Sequence, residues 1–189
     1  MEVIPTPFPE VLLIKPKIYH DNRGFFYESH QQSKYKALGI ESVFVQDNIS
    51  FSKKGVLRGL HYQLEHAQDK LVHVIAGAVF DVVVDVRHGS PTFGQWMGQI
   101  LSDENHLQLF VPKGFAHGFC VLSDQAHFVY KCSDYYNPTS EFGIIWNDPA
   151  VKVEWPIENP ILSEKDALNP SLRNVSSKLL PHFKSSIIA

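Results

Sequence analysis

Val79-Phe80-Asp81-Val82-Val83-Val84-Asp85-Val86 alternates two sets of side chains with a period of two, the spacing of a β-strand. Phe80, Val82, Val84 and Val86 point one way, and Val79, Asp81, Val83 and Asp85 the other. The two aspartates suggest that the second face is polar, and on this pattern alone either face could line a barrel interior. Similar runs lie on both sides: Val11–Ile14, Val43–Ser50, Val56–Tyr62, Leu71–Ala76, Trp96–Leu101, Leu107–Val111, His117–Leu122, Ala126–Ser133 and Gly143–Trp146. Turn clusters such as His88-Gly-Ser-Pro91, Ser102-Asp-Glu-Asn105 and Asn137-Pro-Thr-Ser140 separate them. Only His30–Leu38, closed by Gly39, and the segment after Pro170 read as helices. A parallel α/β fold needs a helix between most strands, and the spacing leaves no room for one. The chain therefore reads as all-β, a double-sheet jelly roll or barrel with a few short helices.

The 189 residues fit one domain, large enough to bury a core without disulfides or a structural metal. Lys and Arg number 17 against 20 Asp and Glu, a formal charge of −3, which argues against a nucleic-acid binder that works by neutralising phosphates. Apolar runs are too short for a transmembrane helix. Met1–Glu10 carries three prolines and no Arg-rich or apolar signal region. Cys120 and Cys132 make no disulfide framework, and Cys120 reads as a small hydrophobe. A cytoplasmic protein is the expectation. The one compositional oddity is ten histidines.

Arg58-Gly-Leu-His61-Tyr-Gln63, continuing through Lys70 to Gly77, and Pro112-Lys-Gly114-Phe-Ala-His117-Gly118 resemble the two signature segments of cupin barrels. In metal-binding cupins the ligands are three His and one Glu. Here those four positions hold His61, Gln63, Lys70 and His117, and an ammonium in place of a carboxylate repels a cation. No metal is expected. A His and a Lys inside such a barrel point to proton transfer, with the His as base and the Lys beside a developing oxyanion. The alternative for His61 is a structural ring bonded to a backbone carbonyl. Arg58 and His61 fall on opposite faces of a regular strand, so if both serve one site a bulge or strand end near Gly59 must realign them.

Further strings extend the resemblance. They are Asp21-Asn-Arg23-Gly24-Phe25, Gln46-Asp47-Asn48, Lys70-Leu-Val, Asp81-Val-Val-Val-Asp85-Val-Arg87 and Gly89-Ser-Pro-Thr-Phe-Gly94. After them come Pro112-Lys-Gly-Phe-Ala-His-Gly-Phe119, Tyr130-Lys131, Asp134-Tyr-Tyr136, Trp146-Asn-Asp-Pro149 and Leu162-Ser-Glu-Lys-Asp166. Together, in this order, they resemble the dTDP-4-dehydrorhamnose 3,5-epimerase family; the segment beyond residue 170 matches no motif. The resemblance implies a cupin-type barrel that epimerises a dTDP-linked 4-keto-6-deoxyhexose at C3 and C5 through an enolate, without metal or redox cofactor. The alternative is inversion at one carbon only, or another nucleotide sugar.

On the same resemblance His61 is the base, Asp166 its carboxylate partner, Tyr130 the acid and Lys70 the residue beside the C4 oxygen. Arg23, Glu28, Gln46, Asp47, Asn48, Arg58, His117, Glu141 and Lys165 are implied to bind substrate, and Tyr136 to stack on the base. Homodimers are implied, with an N-terminal segment crossing to deliver Arg23 and Glu28 into the neighbour's site. Taken alone, Asp166 follows Glu164-Lys165 and would pass for a solvated charge run, Tyr130 for core packing and His117 for barrel wall. One departure is His73, where Lys70-Leu-Val-Arg is expected; by alternation it faces away from Lys70.

Overall fold

A computed structural model describes residues 1–183. Its strands are β1 (Glu2–Ile4), β2 (Leu12–Lys15), β3 (Tyr19–Asp21), β4 (Gly24–Phe26), β5 (Gln46–Lys53), β6 (Leu57–Gln63) and β7 (Lys70–Ala76). These are followed by β8 (Ala78–Asp85), β9 (Trp96–Ser102), β10 (Gln108–Val111), β11 (Phe115–Val121), β12 (Gln125–Cys132) and β13 (Glu141–Gly143). A six-stranded sheet runs β1-β2-β10-β7-β12-β5, a five-stranded sheet runs β13-β6-β11-β8-β9, and β3 and β4 form a hairpin of their own. Every pairing between these strands is antiparallel. The fold is the all-β double-sheet barrel expected from the strand rhythm, of the cupin type that the resemblance implies.

The two sheets face each other across Leu13, Val72, Val74, Leu109 and Phe128 from one and Val79, Val83, Leu101, Phe119 and Val121 from the other. The outer face of the five-stranded sheet, with Val82, Val84 and Val86, is covered by Ile144, Val151, Leu172 and Leu180. The aspartate face of β8 is therefore the one that looks into the barrel. It is not a solvated face, because Asp81 and Asp85 are both fully buried. Asp85 meets the Arg87 guanidinium at 2.8 and 3.0 Å and accepts from the hydroxyls of Ser90 and Thr92, each at 2.6 Å. Arg87 also stacks on Phe115 and on Phe183 of the C-terminal segment.

Helix α1 (Gln32–Lys36) lies inside the span expected from sequence, and Gly39 turns the chain at φ 91°. Its Tyr35 joins Ile14, Ile40, Leu71 and Phe110 in a separate core on the outer face of the six-stranded sheet. Over the described residues after Pro170 the helical reading resolves into two 3₁₀ turns, Leu172–Asn174 and Ser177–Leu179, with Leu172 and Leu180 each buried against the sheet. The second α-helix, α2 (Glu164–Ala167), precedes that proline.

Candidate active site

A cavity of about 610 Å³ opens between the sheets at one end of the barrel. His61 comes to it from β6, His117 from β11, Lys70 from β7 and Tyr130 from β12. His61 and Tyr130 thus stand on opposing sheets. The bulge that parity demands is present: on β11, His117 pairs with His61 and Phe119 with Arg58, so β6 spends one residue more than its partner over this stretch. Gly59 permits it. Its φ is 124°, and a Cβ there would lie 2.5 Å from Gly118 Cα. Arg58 and His61 both line the cavity as a result.

His61 Nε2 and Asp166 Oδ1 are 2.6 Å apart. An ionised carboxylate only accepts, so the ring's Nε2 carries the proton and Nδ1 keeps its lone pair. Glu141, 3.9 Å from Nδ1, is too far to take that lone pair out of use. Asp166 is only 4% exposed, so it is no surface charge. The Ser163 hydroxyl caps α2 by accepting from Asp166 N at 3.1 Å, which points the carboxylate inward. Burial pushes the Asp166 carboxyl up, but the bond and charge of His61 outweigh it and hold the group below the usual carboxylate range.

His117 Nε2 donates to both oxygens of Asp81, at 2.8 and 2.9 Å. Burial raises Asp81, with His117 and Lys70 opposing. Lys70 is lowered by burial, with Cys132, Glu141 and Asp81 opposing. The Tyr130 hydroxyl is raised, by burial first, and stays protonated through the neutral range. Gln63, at the second cupin position, is turned away: it donates to His66 O and Tyr135 O and accepts from Asn137 N. The family of contacts a metal would require is therefore replaced by two separate histidine–carboxylate pairs.

At the cavity mouth Tyr136 is half exposed, and its hydroxyl donates to Glu141 at 2.9 Å. Lys165 pairs with the same carboxylate. Tyr136 N donates to Gln46 Oε1 at 3.0 Å, and Gln46 in turn donates to Asn48. Arg58 is held by donating from Nε to Ser52 Oγ at 3.0 Å. Gln46, Asn48, Arg58, Tyr136, Glu141 and Lys165 all line the cavity.

Asp47 does not reach it, and Arg23 and Glu28, expected in a neighbour's site, lie away from the cavity of their own chain. Asp47 lies between Gln46 and Asn48 on β5, so strand alternation turns its side chain to the outer face, where Lys131 holds it at 2.9 Å. Arg23 and Glu28 belong to the β3–β4 arm; Arg23 pairs with Asp21, and Glu28 pairs with Lys34. His73 faces outward, as alternation predicts, and is almost buried. Sequence reading missed Asp81 as the partner of His117, and missed Ser163 and Ser52 as supports. A signal existed for Ser163, since Ser163-Glu-Lys-Asp166 has the spacing of a capping box.

Comparison with known proteins agrees with this geometry. Residues 5–174 match the family described as dTDP-4-dehydrorhamnose 3,5-epimerase. The Shigella flexneri enzyme of that name is 57% identical over 88% of this chain and 93% of its own. A dTDP-6-deoxy-D-glucose 3,5-epimerase from Legionella pneumophila Philadelphia 1, solved with dTDP-4-keto-L-rhamnose, superposes with a TM-score of 0.95 at 56% identity, covering 97% of this chain and 99% of that one. A 3'-monoepimerase from Streptomyces bikiniensis, solved with dTDP-quinovose, gives a TM-score of 0.89 at 35% identity over 94% and 92% of the two chains. On the barrel, the cavity and these relationships together, the chain belongs to the dTDP-4-dehydrorhamnose 3,5-epimerase family.

Proposed function

We propose that this protein converts dTDP-4-dehydro-6-deoxy-D-glucose to dTDP-4-dehydro-L-rhamnose by inverting C3 and C5, a step of dTDP-L-rhamnose biosynthesis in the cytoplasm. The observation that carries the reading is the opposition of His61 and Tyr130 on facing sheets, with Lys70 lining the same cavity. Both carbons are α to the C4 ketone. His61 Nδ1 takes the proton from one face while Asp166 stabilises the imidazolium through Nε2. The C–H electron pair forms a C=C bond to C4 while the carbonyl π pair moves onto the C4 oxygen, where the Lys70 ammonium stabilises the enolate. Tyr130 then delivers a proton to the same carbon from the opposite face, and exchange with water resets both groups. A second round at the other carbon uses the same enolate oxygen.

The nucleotide end fits the mouth. Arg58 suits diphosphate oxygens, the Tyr136 ring offers a platform for the base, and Gln46, Asn48 and the Glu141–Lys165 pair supply polar contacts. Arg23 and Glu28 are assigned to the neighbour's site in a homodimer with exchanged arms. The hairpin belongs to neither sheet, the Arg23 side chain is 86% exposed, and Phe25 and Phe26 are 56% and 66% exposed. Ile49, Phe51 and Ile75 leave the adjoining outer sheet face equally apolar, a surface for the second subunit.

The test is solvent deuterium incorporation into dTDP-4-keto-6-deoxyglucose followed by NMR. Incorporation at both C3 and C5 is expected. Incorporation at one carbon alone would make the protein a mono-epimerase, and none at either would end the assignment.

A further inference from the structure

The arm that carries Arg23 is exposed along its hairpin and packed where it joins the barrel. At the tip, the side-chain partner of Arg23 is Asp21 of the same hairpin, and further from the tip Tyr19 and Phe26 are each more than half exposed. At the base, Phe25 and Tyr27 pack on the His106 ring, with centroids 4.7 and 5.3 Å away. Two residues further along, the Ser29 carbonyl accepts from Gln108 Nε2 at 2.8 Å and lies 3.0 Å from the Tyr35 hydroxyl. That hydroxyl also bonds Gln108 Oε1, so the amide and the phenol close a ring on one backbone oxygen.

Gln108 is an unusual occupant of its position. It is 0% exposed, with Ile14 and His73 as its cross-strand neighbours and Phe110 on the same strand face. A leucine would fill that space without desolvating an amide. The amide's side-chain partners are Tyr35 and Ser29, and Ser29 directly follows Glu28. Satisfied buried polar networks rigidify what they hold, and a segment ordered in advance binds with less entropic cost.

We infer that Gln108 and Tyr35 form a clamp that sets the direction of the arm, and so act as positioning residues for nucleotide-sugar binding in the neighbouring subunit. This rests on the proposed exchange of arms. The clamp lies on the outer face of the six-stranded sheet, whereas the cavity lies on its inner face, so it touches no substrate in its own subunit.

Two variants test it: Gln108→Leu, and Tyr35→Phe, which keeps the ring that fills the outer core. Each is expected to raise KM for the dTDP-4-keto sugar about tenfold, with kcat within about twofold of the parent. The decisive measurement uses mixed dimers with an excess of His61→Ala chains. A Gln108→Leu chain then keeps a live site but receives an intact arm from its partner, and KM should return to the parent value. Unchanged KM in both variants overturns the inference. So does a raised KM that persists in mixed dimers, the result expected if Gln108 merely supports its own barrel. Arg23→Ala mixed in the same way separates the two levels. If its KM is restored and that of Gln108→Leu is not, the clamp alone is wrong; if neither is restored, the exchange of arms is wrong as well.

Discussion

Replacing Lys70 by Met keeps the length and apolar stem of the side chain and removes its charge from the cavity. The enolate oxygen at C4 carries most of the negative charge formed in the reaction, and Lys70 is the cation assigned to it. At ~4 Å and an effective dielectric near 20, one such charge pair is worth ~4 kcal/mol. That corresponds to about 10³ in rate, in line with the loss of a single oxyanion donor in other active sites. Because one oxygen serves both enolates, the loss should be equal at C3 and C5. Single-turnover deuterium exchange read by NMR at both carbons is the assay, and KM should move little. A loss under tenfold, or a loss confined to one carbon, would refute the assignment of Lys70 to the C4 oxygen. The pH profile adds a check with a definite sign. Burial lowers the Lys70 pKa below its ordinary 10.5, so the active ammonium is present at lower pH and lost as pH rises through the lowered value. The parent enzyme should show that alkaline limb in kcat, and Lys70→Met should lack it.

Three other perturbations follow from the same structure. Asp166→Asn removes the ionic partner of His61 and should cost 10²–10⁴ in kcat, roughly the worth of general acid–base catalysis. Its effect on folding is also pH-dependent: the Asp166 pKa is depressed, so the stability it adds is present above the ordinary carboxyl range and fades as pH falls through the depressed value. Urea unfolding of parent and variant should therefore converge in strong acid. Gly59→Ala places a Cβ 2.5 Å from Gly118 Cα at a φ of 124°, and should lower stability by ~1–3 kcal/mol while reducing turnover, because the relative placement of Arg58 and His61 depends on this bulge. Asp85→Asn leaves Arg87 without its buried counter-charge and should cost about 3 kcal/mol, seen as a Tm lower by roughly 10 °C, with kcat of the folded protein unchanged.

What the sequence could reveal followed from how far each signal reaches along the chain. Long alternating strands such as Val79–Val86 declared themselves, and parity alone located the irregularity at Gly59. Alternation says which residues share a face but not what occupies that side, so the polar face of Asp81 and Asp85 left the barrel interior undecided, and the structure buries both, with His117 and Arg87. The same rule could have separated Asp47 from Gln46 and Asn48, since neighbours on a strand point apart. Tyr19–Asp21 and Gly24–Phe26 are too short to show a period, and α2 has only four residues, so its cap at Ser163 was its sole mark. In the segment after Pro170 that read as helical, Leu172 and Leu180 are each drawn separately onto the outer sheet.

The charges around the cavity give an independent reason for the arm. His61 and His117 are register partners on β6 and β11, where a metal-binding cupin would turn both onto one cation. Here they are pulled to different carboxylates, Asp166 and Asp81, and Lys70 occupies the position of the fourth ligand. That exchange of a cation for an ammonium supports enolate chemistry but leaves the local balance nearly neutral. Arg58, Lys70 and Lys165 face Glu141 and Asp166 in the cavity wall, with Asp81 immediately behind. Lys165 is engaged by Glu141, and Lys70 is committed to the C4 oxygen, which leaves Arg58 as the cation free for a diphosphate among the described cavity residues. A dianionic group needs more than one such partner in a partly enclosed site. On the proposed exchange of arms, Arg23 is the residue that would supply the missing charge, which requires the arm that bears it to be held in the direction of the neighbouring cavity.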